Sequence, residues 1–167
     1  MFTSTNIVLI GMPGSGKTTV GQLLAQLLDL RFHDSDVVLA KSLGQPIAEI
    51  YAQKGEAYFR HNETLTCSTL LQHSEGVIAL GGGSVLSPEV RNLLPLHTVV
   101  YLKTSLPVLQ QRLGTGRQNL GKLEDLEAER LPLYERLAKK TLLTDHMAPL
   151  AVTRRIMEIL EFTLEVC

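Results

Sequence analysis

Residues 11–18 read Gly11-Met12-Pro13-Gly14-Ser15-Gly16-Lys17-Thr18, a Gly-x4-Gly-Lys-Thr arrangement of glycines, one lysine and one hydroxyl. Those residue types at that spacing suit the grip of a polyphosphate. Glycines let backbone N–H groups turn inward around phosphate oxygens, where a Cβ would clash. Lys17 is placed to reach β- and γ-phosphates, and the Thr18 hydroxyl to ligate Mg²⁺. A glycine-rich turn between strand and helix could also carry no ligand. Here the flanks decide: Ile7-Val8-Leu9-Ile10 reads as a buried strand, and Val20 to Leu28 repeats apolar residues at helical spacing. A helix starting there adds about half a positive charge behind the loop. Gly14, Ser15, Gly16, Lys17, Thr18 and Thr19 are therefore candidate contacts to a nucleoside triphosphate.

A magnesium-bound triphosphate also needs a carboxylate nearby. In many nucleotide-loop proteins that acid ends a later apolar strand. Here Val77-Ile78-Ala79-Leu80 runs straight into Gly81-Gly82-Gly83 without one. The obvious supply is Asp34-Ser35-Asp36, expected at the C-terminal end of the second strand, where open parallel sheets border their ligand crevice. In extended chain Asp34 and Asp36 point the same way, so one could serve the metal and the other an acceptor hydroxyl. Alternatively, Asp34 or Ser35 simply caps the helix beginning at Val37.

The triple glycine is a second place where backbone comes close to something. Glycines form strands and helices poorly, and a tight turn needs only one. Three imply a small molecule lying against bare main chain. Arg60, Arg112, Arg117 and Arg130 complete the set. A surface arginine is usually just solvated, but its planar fork matches carboxylate and phosphate oxygens. An arginine on a closing flap could stabilise charge on a transferring phosphoryl group.

Short apolar runs alternate with helical patterns along the chain, which predicts an α/β fold with a parallel sheet. Strands are expected at Asn6–Ile10, Arg31–His33, Gly76–Leu80, Thr98–Leu102 and Thr141–Leu143. Helices are expected near 17–28, 35–54 with a break at Gly44-Gln45-Pro46, 56–73, 88–94, 105–113, 123–139 and 149–164. Ser87-Pro88-Glu89 is a helix start: cap, proline in the first turn, then an acid facing the dipole. Gly114 to Gly121 holds three glycines around Arg117 and suits a mobile flap that excludes water from a γ-phosphate. The last helix carries Ile156, Ile159, Leu160 and Leu164 on one side. With Glu158, Glu161 and Glu165 beside them it suits packing on the sheet better than anionic lipid.

The whole chain narrows the classes. Its 167 residues make one domain, able to bury about 70% of its unfolded surface. A net charge of −1 and the absence of tryptophan leave neither a field nor a stacking surface for nucleic acid. Two cysteines and scattered histidines give no metal-ligand spacing and no disulfide framework. With no leader pattern and no apolar run approaching 18 residues, the expectation is a soluble, cytoplasmic protein with no membrane partner.

The ordered set of motifs resembles shikimate kinase. It comprises residues 11–21, His-Asp-Ser-Asp at 33–36, Gly-Glu-Ala-Tyr-Phe-Arg at 55–60, Leu-Gly-Gly-Gly-Ser-Val at 80–85 and Arg-Leu-Pro-Leu-Tyr at 130–134. The likeness runs from about residue 6 to 160. It implies a three-layer P-loop kinase fold similar to nucleoside monophosphate kinases: a five-stranded parallel sheet, helices on both faces and a mobile lid. One domain over 1–167 would have its core at 1–33, 76–111 and 138–167, a substrate-binding part at about 34–61 and a lid at about 112–124. The implied reaction is phosphorylation of the 3-hydroxyl of shikimate by ATP with Mg²⁺, in a monomer.

By position, Asp36 would bind the acceptor hydroxyl and act as base, and Asp34 would approach Mg²⁺ through water, with Thr18 as the other ligand. Arg60 and Arg130 would hold the substrate carboxylate, and Gly82, flanked by Gly81 and Gly83, would contact the ring oxygens. Lys17 and Arg117 would serve catalysis, Arg117 as the lid arginine on ATP, with Arg112 near the adenine. The lid departs from the family pattern: Arg117-Gln118-Asn119-Leu120 stands where Pro-Leu-Leu usually follows the arginine, and the span to Arg130 is short. Residue chemistry alone reaches a kinase of a small anionic acceptor. Gluconate or a nucleoside monophosphate as acceptor, or a silent nucleotide-binding regulator, are the competing expectations.

Overall fold

Val8, Leu9 and Ile10 are almost wholly shielded from solvent, as expected of a central strand in a sheet covered on both faces. The computed structural model describes residues 5–114 and 122–164. The chain runs β1 (Ile7–Ile10), α1 (Lys17–Leu28), β2 (Phe32–Asp34), α2 (Ser35–Leu43), α3 (Ile47–Lys54), α4 (Glu56–His73) and β3 (Val77–Ala79). It continues through α5 (Pro88–Leu93), β4 (Thr98–Lys103), α6 (Leu106–Leu113), α7 (Leu123–Leu137), β5 (Lys140–Leu143) and α8 (Pro149–Leu164). The five strands pair in parallel in the order β2-β3-β1-β4-β5. The expected α/β class and five-stranded parallel sheet are both present.

Side chains alternate between the two faces along each strand, which builds a core on either side. Val8, Ile10, Ile78, Val99 and Tyr101 face one way and pack with Cys67, Leu70 and Leu71 of α4, Val90 of α5 and Tyr134 of α7. Leu9, Val77, Val100 and Leu102 face the other and meet Val20, Leu24 and Ala25 of α1 and Val152 and Ile156 of α8. The last helix therefore packs on α1 beside the sheet, as its pattern predicted. A third, smaller core joins Leu39 of α2, Ile50 of α3 and Phe59 of α4. It underlies the stretch expected to bind substrate.

The boundary signals work as their chemistry dictates. Gly44 ends α2 in the left-handed region at φ 67°, and Pro46 precedes α3. Ser87 Oγ accepts from Val90 N–H, with Pro88 in the first turn of α5. No helix among the described residues is long and apolar enough to cross a membrane.

The sheet order places β1 between β3 and β4, so the chain leaves β1 at the point where connections diverge to opposite sides. Crevices at such points form beyond the strand C-termini and collect ligands. The loop after β1, the acids after β2 and the glycines after β3 all end there.

Candidate active site

Gly14 and Gly16 lie at φ 82° and φ 91°, a left-handed conformation that side chains rarely adopt. Gly16 occupies the N-cap position of α1 without a capping side chain, and the first turn of α1 carries no acid. The first-turn N–H groups of a helix have no acceptor within the helix, and here no acid of that turn competes with an anion for them. Lys17 folds back over the loop, its Nζ donating to the carbonyls of Gly11 at 2.8 Å and Met12 at 2.9 Å. Those carbonyls hold the charge over the loop.

The two aspartates do not share one extended segment. The strand ends at Asp34 and α2 starts at Ser35, so Asp36 already sits in the first helical turn. The reason is local. Asp34 Oδ1 accepts from the N–H groups of Asp36, at 2.9 Å, and Val37, at 3.2 Å, and so caps α2. Capping does not exhaust the carboxylate. Its other oxygen, Oδ2, accepts from Thr18 Oγ1 at 2.5 Å. The cap expected of Asp34 is present at one oxygen, and the other is left facing the phosphate loop, where the expected metal would bind. Asp34 and Asp36 still line the same cavity.

The triple glycine lines the cavity, and its missing side chains also leave room for neighbours. The places where Cβ atoms would sit are taken by side chains of the site itself. A Cβ on Gly81 would lie 2.7 Å from Asp36 Oδ1 and 3.0 Å from Glu63 Oε2. One on Gly82 would lie 2.9 Å from Pro13 Cδ and 3.2 Å from the Arg130 guanidinium, and one on Gly83 would overlap that of Arg60. Bare main chain here makes room for two arginines and two acids.

Arg60 of α4 pairs with Glu63 one turn on, at 2.6 Å, and lies 3.8 Å from Glu56. Glu63 is 4% exposed. Burial pushes its carboxyl above the ordinary range; Arg60 pulls it back, while Asp36 adds to the rise. Arg130 of α7 is equally buried. The Nε atoms of both Arg60 and Arg130 are shielded from solvent and have no hydrogen-bond partner among the described residues, Arg60 Nε lying 3.8 Å from Glu56 Oε1. Buried donors of this kind call for an acceptor, and two forks in one cavity suit a carboxylate.

All these groups line one cavity of about 1100 Å³. Gly14 to Thr19 border it with Asp34, Asp36, Arg60, Glu63, Gly81 to Gly83 and Arg130, and Thr144, Met147 and Val152 extend it past the loop. Arg112 also lines it and donates to the Gly14 carbonyl at 3.1 Å, so the end of α6 is latched to the phosphate loop. Arg117 lies outside the described residues. The sequence-derived site is otherwise brought together in full, within one crevice.

The family model for shikimate kinase matches residues 13–161. The chain belongs to the shikimate kinase family. ATP-dependent phosphorylation of shikimate is the activity that goes with membership. A shikimate kinase of Salinispora tropica is 45% identical over 149 residues, covering 85% of this chain and 89% of its own. The shikimate kinase of Acinetobacter baumannii, solved in complex with shikimate, superposes with a TM-score of 0.91 at 34% identity, over 96% of this chain and 95% of that one. A gluconokinase of Sinorhizobium meliloti reaches a TM-score of 0.57 at 21% identity, covering 98% of this chain and 99% of its own, a likeness of fold alone.

Three residues of the site were not singled out in the sequence. Glu63 could have been noticed as an acid three residues after Arg60, a helical ion-pair spacing. Tyr134 follows Arg130 by one turn and donates to the Gly82 carbonyl. Ser35 Oγ accepts from Gly81 N–H at 2.8 Å. Nothing local marks that hydroxyl as more than a possible cap.

Proposed function

We propose that this member of the shikimate kinase family transfers the γ-phosphoryl group of ATP to the 3-hydroxyl of shikimate, giving shikimate 3-phosphate and ADP for chorismate and aromatic amino acid synthesis. It would act as a soluble, cytoplasmic monomer. The observation that carries the choice of acceptor is the pair of buried arginine Nε atoms without a hydrogen-bond partner among the described residues, in the cavity that Asp36 also lines. A small polyol acid needs a cationic seat for its carboxylate and an anionic one for its reacting hydroxyl, and the cavity supplies both.

Asp36 accepts the hydrogen bond of the acceptor hydroxyl and takes its proton as the oxygen attacks the γ-phosphorus. The bond from that phosphorus to the β,γ-bridging oxygen breaks, and ADP leaves with the electron pair. Arg60 and Arg130 fix the acceptor's carboxylate, which sets the hydroxyl's direction; such positioning supplies much of the rate in phosphoryl transfer. Lys17 exchanges its loop carbonyls for β- and γ-phosphate oxygens. Arg112 belongs beside the nucleotide and Arg117 on the lid.

The residues present fit Mg²⁺. This ion binds through one or two protein oxygens together with phosphates and water, not in a cage of protein ligands. Thr18 Oγ1 and Asp34 Oδ2 offer that pair at the mouth of the loop. When bound, the ion neutralises charge on the β- and γ-phosphates.

The test is ADP release from Mg-ATP with shikimate, gluconate, AMP or no acceptor, run in parallel. Strong stimulation by shikimate alone is expected. Stimulation by another acceptor overturns the substrate, and ATP binding without release under any condition overturns the kinase in favour of a switch.

A further inference from the structure

The glycine loop after β3 is suspended from both sides. Gly81 N–H donates to Ser35 Oγ at 2.8 Å, and one residue on, the Tyr134 hydroxyl donates to the Gly82 carbonyl at 2.5 Å. Tyr134 is 1% exposed, and its ring rests tilted against Tyr101 of β4, centroids 5.0 Å apart. The core thus fixes the ring, and the hydroxyl has one direction in which to act. Burial holds this phenol well above its ordinary range, so it remains a donor throughout neutral pH.

A run of glycines has no side chains with which to hold its own peptide planes. Each plane must be set from outside. Because a peptide bond is planar and trans, a carbonyl fixed at Gly82 also fixes the Gly83 N–H, on the opposite edge of the same plane. The helix turn that carries Tyr134 carries Arg130 four residues earlier. Its guanidinium lies beside the Tyr134 hydroxyl, 3.2 Å from where a Cβ on Gly82 would be. One helical face therefore holds the loop's main chain and presents the arginine laid against it.

We propose that Tyr134 is a positioning residue for the acceptor: its hydroxyl sets the Gly82–Gly83 peptide and the seat of Arg130 against it, on the reading of this cavity as a shikimate pocket. The polar partners of the Tyr134 hydroxyl, Gly82 and Arg130, both belong to the acceptor side of the cavity, so its effect falls on the acceptor.

Tyr134→Phe deletes the hydroxyl and keeps the ring and its stack on Tyr101. Tyr101→Phe deletes the other hydroxyl of the pair and serves as the packing control. The measurements are KM for shikimate, KM for ATP, kcat and the melting temperature of both variants and the parent. In Tyr134→Phe the KM for shikimate should rise about tenfold, with kcat and the KM for ATP within about twofold of the parent. Tyr101→Phe should leave both KM values in place. A merely structural hydroxyl would instead lower the active fraction, seen as a fall in kcat with both KM values unchanged. That result, an unchanged shikimate KM, or a Tyr134→Phe protein that does not fold overturns the proposal and leaves the kinase standing. A parent enzyme that shikimate does not stimulate overturns the acceptor reading, and this proposal with it.

Discussion

Thr18 and Asp34 meet at 2.5 Å, joining the phosphate loop after β1 to the carboxylate that caps α2 after β2. Two tasks share one side chain, and they can be separated. Asp34→Asn keeps an oxygen for the cap but removes the charge. It should stay within about 0.5 kcal/mol of the parent in urea unfolding while needing roughly tenfold more Mg²⁺ for half-maximal rate. Asp34→Ala loses the cap as well and should unfold about 1 kcal/mol more easily. Equal Mg²⁺ requirements in parent and Asp34→Asn would take the metal away from this residue.

Lys17→Ala should abolish transfer, with a loss of 10²-fold or more, on the order of that seen when one transition-state donor is removed. Lys17 also bridges the Gly11 and Met12 carbonyls, so the variant should bind ATP more weakly too. Single-turnover transfer and nucleotide titration read the two losses separately. Near-normal turnover would remove the loop from the mechanism.

Arg130→Ala should weaken shikimate binding by roughly 10- to 100-fold, the range of a buried charge-assisted hydrogen bond, and ATP binding far less. Calorimetric titration with each ligand decides. The reverse pattern would place the acceptor elsewhere.

Gly83→Ala should act like a partial loss of Arg60. A methyl at position 83 overlaps the guanidinium and must push it off Glu63, so the KM for shikimate should rise about tenfold or more. The KM for ATP should stay near that of the parent. An unaltered shikimate KM would show that Arg60 can move without consequence.

His97 gives a pH dependence of stability. Its Nδ1 accepts from the Asn6 N–H at 3.3 Å, and burial lowers its pKa below the ordinary value of about 6.5. Around pH 6 the unfolded chain therefore binds more protons at this residue than the folded one, and stability rises with pH there. The contribution is complete above about pH 6.5 and lost as pH falls toward the depressed folded value. Urea midpoints between pH 7.5 and 5 should fall with pH, and His97→Gln should flatten that slope.

Strands and helices were legible because burial on two faces writes continuous apolar runs and because Gly44, Pro46 and Ser87 mark boundaries by their own backbone chemistry. The site residues were legible where a residue type is tied to a ligand, as with Lys17, Thr18 and Asp36. Local sequence offers Asp34 both as a helix cap and as a metal carboxylate and cannot separate the two, because a cap uses one oxygen and leaves the other open. Glu63 and Tyr134 stayed hidden for another reason: an acid is placed in a core, or a phenol under a carbonyl, only by the packing of separate helices. The glycines stand out in the sequence, but their neighbours come from the phosphate loop, α2, α4 and α7, distances along the chain that no local pattern spans.

The glycine loop makes the acceptor pocket a shape formed by subtraction. The missing side chains at 81, 82 and 83 leave volume that residues from other segments occupy: Asp36 and Glu63, Pro13 and Arg130, and Arg60. These positions are consequently tied to others: a side chain at 83 displaces the Arg60 guanidinium, and one at 82 presses on both Pro13 and Arg130. A change of acceptor cannot then be reached by widening one wall. It requires matched replacements on two segments, and every single step toward it passes through a protein that binds the old acceptor poorly and the new one not yet.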